Sequence, residues 1–183
     1  MKACYQSSIA IPHLVGTGKP GVLNHDLIRE EYRMTYRLGT AKALQVSLWN
    51  GIVMGGGVGI SIHGKYRVAT DNTLFAMPET AIGLFPDVSG THWLSKLPNS
   101  YGDYIGLTGA RLQSYDLVHS GIATHFVKQA LLPDLENALA DVGPPSLAHA
   151  KVRDILEDFS SRSGKPDSSK SVLHKLDSVI RYC

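Results

Sequence analysis

Residues 49–90 carry the side chains whose types and order could do chemistry in this chain. A glycine triplet, Gly55-Gly56-Gly57, with Gly59 two further on, opens an apolar run. Glu79 and Asp87 follow, eight residues apart. Glycine lets backbone approach a ligand closely, because no Cβ stands in the way. A helix start presents unpaired N–H groups to negative charge. An amide at Gly56 aimed at a carbonyl oxygen, with a carboxylate that moves a proton or attacks, supplies the parts for stabilising an oxyanion during acid–base work. Each part also has a plainer use. The glycines suit tight strand–helix packing, Glu79 suits a solvent-facing strand end, and Asp87 suits a turn after Phe85-Pro86. The apolar surround of Ile82, Leu84 and Phe85 adds weight to the chemical reading, since such a surround raises a carboxyl pKa.

The elements that must position these groups are readable in outline. Asn24 as an N-cap and Asp26 in the first turn predict a helix ending near Gly39. Leu27, Glu31, Met34 and Leu38 would share one face, flanked by Ile28, Tyr32 and Tyr36. Residues 45–54 read as one buried strand and 55–62 as a short apolar helix. Residues 66–70 and 73–77 read as a strand pair around an Asp71-Asn72 turn, stopped by Pro78. Short helices are expected near 90–97 and 102–108. Ser114 would cap a helix that stops at Gly121, followed by a strand over 124–127. Residues 135–142 and 147–159 read as amphipathic helices, 160–171 as a Ser/Lys/Gly linker, and 172–181 as a last helix. Strand–helix alternation followed by helices predicts an α/β layered fold.

Composition bounds the remaining classes. With 183 residues, 43% hydrophobic and 19% charged, the chain suits one folded domain. A net charge of +2 gives no argument for nucleic acid or a membrane surface. Cys4 and Cys183 form neither a zinc spacing nor a disulfide framework, which points to a reducing compartment. Several motifs fail on inspection. Residues 59–66 follow a P-loop pattern until Tyr66, which stands where Ser or Thr should bind magnesium. Residues 16–21 fit G-x-G-x-x-G without a clean strand–helix setting. Ser61 lacks the nucleophile-elbow context. His63 and His92 have no metal-ligand spacing and read as surface or hydrogen-bonded histidines.

The stretches NGIVMGGGVGISIHGKYRVAT and LFAMPETAIGLFPDVSG resemble the crotonase (enoyl-CoA hydratase/isomerase) superfamily, and most closely its 3-hydroxyisobutyryl-CoA hydrolase branch. REEY at residues 29–32, LTGARL at 107–112 and GIATHFV at 121–127 carry the same resemblance. It implies a partial crotonase-like ββα spiral with C-terminal helices. The segments would be a divergent stretch over 1–28, a core over 29–143 and a helical region over 144–183. The implied activity is hydrolysis of an acyl-CoA thioester, 3-hydroxyisobutyryl-CoA, in valine breakdown. Position by position, Gly56 matches the oxyanion-hole glycine and Glu79 the catalytic glutamate, acting as base for water or as nucleophile. Asp87 matches the second acidic residue, and Glu31 a substrate-contacting one. No metal is expected, and CoA would be part of the substrate. The resemblance implies a mitochondrial protein, with peroxisome or cytoplasm as alternatives, although no targeting signal is readable.

Two departures matter. Hydratases of this superfamily carry a second catalytic glutamate three positions after the oxyanion glycine, and here that position is Gly59. The residues after Met1-Lys2-Ala3-Cys4 diverge from the family segment that supplies the other oxyanion N–H. From this we expect a shortened fold with missing edge strands, weak stability and low or no turnover. The competing expectations are a non-catalytic remnant that binds acyl-CoA or pairs with full-length subunits, or a hydratase or isomerase disfavoured by Gly59; the expected partners are an acyl-CoA substrate and a second copy or full-length relative in an oligomer.

Overall fold

The computed structural model describes residues 22–143 and 145–180, with side chains described from residue 28 onward except at 145–147. The N-terminal expectations for residues 1–21 lie outside the described residues. The chain enters through α1 (Val22–Thr40). The helix begins two residues before Asn24, so Asn24 is not its cap. Of its expected inward face, Glu31 and Leu38 are found there, joined by Thr35, while Met34 is exposed. The Thr35 hydroxyl donates to the Glu31 carbonyl at 2.9 Å.

The expected single strand over 45–54 is two strands, β1 (Val46–Trp49) and β2 (Ile52–Met54). Gly51 breaks them with φ 111°, a conformation that side chains rarely adopt. The two halves go to different sheets. Helix α2 (Gly56–Ser61) follows, then β3 (Tyr66–Ala69) and β4 (Leu74–Ala76). β3 and β4 do not pair with each other across the Asp71-Asn72 turn. β3 runs parallel to β1, with Val46 opposite Tyr66, and β4 runs parallel to β2, with Val53 opposite Phe75. β5 (His125–Phe126) extends the first sheet beside β3. The first two turns of the chain, β1–β2 and β3–β4, therefore each lay one strand on each of two sheets, as a ββα spiral does.

Threonines staple one turn of the spiral to the next. Trp49 O accepts the Thr73 hydroxyl at 2.5 Å and the Thr70 hydroxyl at 3.2 Å, and Leu74 N–H donates to Gly51 O at 2.9 Å. The helices that follow are α3 (Gly90–Leu94), α4 (Tyr101–Thr108), α5 (Ser114–His119), α6 (Leu132–Ala140), α7 (Pro145–Ser163) and α8 (Val172–Ile180). Helix α5 is capped by Gln113 rather than Ser114, and Gln113 N–H donates to Asp116 Oδ2 at 3.3 Å. The expected linker over 160–171 is partly structured. Its first four residues complete α7, and Ser171 donates to the buried Asp116 at 2.5 Å. Leu173 N–H bonds the same carboxylate at 3.0 Å, so Asp116 anchors the start of α8.

Two cores result. Trp49, Phe75, Trp93, Tyr101 and Leu112 fill the one under α2 to α5. Val68, Leu135, Leu139 and Leu156 fill the one between the first sheet and helices α6 and α7. Because helices cover both faces, β1 is buried at every position, as parallel strands usually are. Among the described residues, no helix is long and apolar enough to cross a membrane.

Candidate active site

Three short segments meet beside the first core: the start of α2, the 3-10 helix Pro78–Ile82 after β4, and the loop that leads into α3. Helix α1 packs on α2. Gly55 caps α2 with φ 50° and ψ −123°, and its carbonyl takes the first helical bonds, from Val58 N–H at 2.9 Å and Gly59 N–H at 3.2 Å. The N–H groups of Gly56 and Gly57 come before that ladder starts, as at any helix N-terminus. Absence of side chains here is a geometric need. A Cβ on Gly55 would stand 3.1 Å from Glu79 Oε1, and one on Gly56 would stand 3.0 Å from Glu31 Oε1. Both carboxylates thus reach the glycine turn.

Met77 and Pro78 start the 3-10 helix, with proline suited to a first helical position whose N–H has no partner. Gly83, at φ 79°, ends it. This tight turn drives Glu79 inward. Glu79 is only 4% exposed, and its Oε2 is buried with no hydrogen-bond partner among the described residues. Burial pushes its carboxyl above the ordinary range; a bond from its own backbone N–H opposes the shift, and the charge of Asp87 adds to it. Glu31 is raised too, by burial first and by Asp87 second.

Asp87 is half-buried, and its Oδ2 accepts the Tyr32 hydroxyl at 3.2 Å. The Tyr32 phenol is shifted upward by burial, then by the neighbouring negative charge of Asp87. The structure therefore brings together Glu31, Gly56, Glu79 and Asp87. The solvent-facing alternative for Glu79 is excluded by its burial. Among the described residues, no group of three or more His, Cys, Asp or Glu side chains is placed to hold a metal ion.

Sequence reasoning missed two contributors. Tyr32 read only as a flank of α1, and nothing in its neighbourhood signals a partner 55 residues away. Val88 was unremarked, yet it takes φ 42° and is 2% exposed. A Cβ on Gly59 would stand 2.5 Å from the Val88 Cβ, so no side chain fits at Gly59. His63 corrects another expectation. It is half-buried: its ring packs on Gly39, and its Nε2 is buried with no hydrogen-bond partner among the described residues. His92 is exposed, with Lys96 Nζ 2.7 Å from its Nε2.

Two carboxylates with raised proton affinity beside a helix start can take up and return a proton next to a developing oxyanion. Comparisons with known proteins place the chain in a family. The enoyl-CoA hydratase/isomerase family model matches residues 10–183. A probable 3-hydroxyisobutyryl-CoA hydrolase 3 of Arabidopsis thaliana is 46% identical over 87% of this chain and 41% of its own length. A mitochondrial 3-hydroxyisobutyryl-CoA hydrolase of Xenopus tropicalis is 47% identical over 89% of this chain and 43% of its own. Among solved structures, a carnitinyl-CoA dehydratase from Mycobacterium thermoresistibile superposes with TM-score 0.75 at 34% identity, over 96% of this chain and 47% of that one. The chain spans less than half the length of each of these relatives. On family match, identity and shared architecture together, the chain belongs to the enoyl-CoA hydratase/isomerase, or crotonase, family.

Proposed function

We propose that the site hydrolyses an acyl-CoA thioester, with 3-hydroxyisobutyryl-CoA as substrate and 3-hydroxyisobutyrate and CoA as products. One observation carries the reading: Glu79 is buried, with a carboxylate oxygen that has no partner among the described residues, beside a side-chain-free helix start. In the proposed cycle Glu79 draws a proton from water, and the hydroxide adds to the thioester carbonyl. The Gly56 N–H stabilises the oxyanion, and the C–S bond then breaks. The departing thiolate takes the proton back from Glu79. Burial suits Glu79 to both transfers, because a raised pKa brings it nearer working pH. Asp87 orients the water or the substrate hydroxyl, and Glu31 contacts the substrate. CoA enters as part of the substrate.

The names of the relatives support the hydrolase over the hydratase reading, and so does Val88. Hydration needs a second carboxyl group at the position of Gly59, and Val88 fills that space. The names of several relatives include "mitochondrial", which supports the same compartment for this chain.

The test is release of free CoA from 3-hydroxyisobutyryl-CoA, followed by thiol detection at high protein concentration. Slow cleavage is expected. Glu79→Gln should lower it by roughly 10²- to 10⁴-fold, the usual worth of a positioned acid–base group. Cleavage no faster than the uncatalysed rate, or cleavage unchanged in Glu79→Gln, overturns the reading.

A further inference from the structure

Asp87 is gripped at two points. On the main chain, Val88 and Ser89 take φ 42° and 65°, and this turn brings Gly90 N–H to Asp87 O at 2.5 Å. A β-branched residue rarely adopts a left-handed backbone. Val88 is held there by its wedge against Gly59. On the side chain, the Tyr32 hydroxyl donates to Asp87 Oδ2 at 3.2 Å. The fold has little use for that hydroxyl, since Tyr32 is 42% exposed and its ring packs in neither core.

We propose that Tyr32 is a positioning residue, whose hydroxyl fixes the Asp87 carboxylate against Glu79 and Glu31. The role in catalysis rests on the hydrolase reading above; the electrostatic role stands on the contact itself. An aspartate carboxylate turns on a broad torsion, and a donor to one of its oxygens biases its orientation. The donor sits next to Glu31 on α1, so a single helix turn sets both an acidic group and the partner of another. Among the described residues, Glu31 and Tyr32 from α1 and Glu79 from the 3-10 helix are titratable groups that feel the Asp87 charge. The positive end of the hydroxyl dipole offsets part of the Asp87 charge that Glu79 and Glu31 experience.

Two variants at this contact should therefore move Glu79 in opposite directions. Carboxyl carbon-13 NMR on protein labelled in its Glu side chains reads each titration midpoint, with Glu79→Gln and Glu31→Gln assigning the signals. Asp87→Asn removes a like charge and should lower both midpoints. Tyr32→Phe bares the Asp87 charge and should raise both. In the Asp87→Asn background, Tyr32→Phe should do nothing. Midpoints that stay put or fall in Tyr32→Phe, or that shift equally in both backgrounds, overturn the proposal. An unchanged urea midpoint for Tyr32→Phe checks that the fold is intact.

Kinetics give a second reading. Tyr32→Phe should lower kcat by roughly 10- to 100-fold with KM almost unchanged, as expected for a misplaced group, and should add nothing to Asp87→Asn. A raised KM with unchanged kcat overturns the catalytic role. The titration reads on the folded chain with or without turnover, so failure of the hydrolase reading and failure of the Tyr32 contact are told apart.

Discussion

Glu79 and Phe85 stand six residues apart in one loop region, yet Glu79 is 4% exposed and Phe85 is 60% exposed. The floor of the site is polar and buried: Glu79 and the glycine turn, closed on one side by Val88 against Gly59. Its rim is apolar and uncovered. Ile82 and Leu84 join Phe85 on the loop, and Ile28, Tyr32 and Tyr36 stand exposed on α1. This inverts the usual distribution, in which charge faces water and apolar side chains do not. The floor gives up stability for chemistry, while the rim contributes little to the fold. Substitutions on the two sides should therefore differ in size and in sign.

The largest effect is expected where the floor is tightest. Gly59→Ala places a methyl group 2.5 Å from the Val88 Cβ, and the Val88 backbone has already been forced to φ 42°. Overpacking of this kind costs about 1–3 kcal/mol, and we expect the upper end, read as a lower urea midpoint. Val88→Gly removes both the clash and the need for a left-handed valine. In that background Gly59→Ala should cost much less. Equal losses in both backgrounds would mean that the pair does not close the floor.

Glu79 should show the opposite sign. A buried carboxylate with an unpaired oxygen destabilises the fold, so Glu79→Met should stabilise it by about 1–2 kcal/mol at neutral pH. The pH dependence follows from the direction of its shift. The folded-state pKa lies above the ordinary value of 4.5, so the native state binds the proton more tightly than the unfolded chain. Stability from this group is fully present below 4.5 and is lost as pH rises through the folded value. The gap between Glu79→Met and wild type should open across that window and stay open above it. Glu31, raised in the same direction, should keep part of the slope in the variant. A gap independent of pH, measured by urea unfolding from pH 4 to 8, would show that Glu79 is not the source.

The same contrast governs what the sequence revealed. The glycine run, Glu79 and Asp87 were legible because a helix start and a proline-led turn are local, and residue type specifies them. The break at Gly51 was misread: Asn50-Gly51 is a turn signal, but it does not say whether the residues on either side stay in one sheet, and residues 45–54 were read across it as one strand. Parallel pairing of β3 with β1 and of β4 with β2 was hidden for a related reason. The Asp71-Asn72 turn looks the same whether its flanking strands pair with each other or with an earlier turn of the spiral. Tyr32 and Val88 were illegible on any local rule. One acts across 55 residues, and the other holds a backbone angle that its residue type argues against.

The rim should respond least. Ile82→Ser with Phe85→Ser removes two side chains that are 55% and 60% exposed, and neither belongs to a core cluster. Surface changes of this kind usually stay within about 0.5 kcal/mol, so the urea midpoint should hardly move. An exposed apolar patch does act on self-association, because contact between two such patches removes both from water. The double variant should therefore stay in solution at higher concentration, as read by light scattering, with its stability unchanged. A marked loss of stability instead would mean that these side chains pack against the floor, and the division between the two regions would fail.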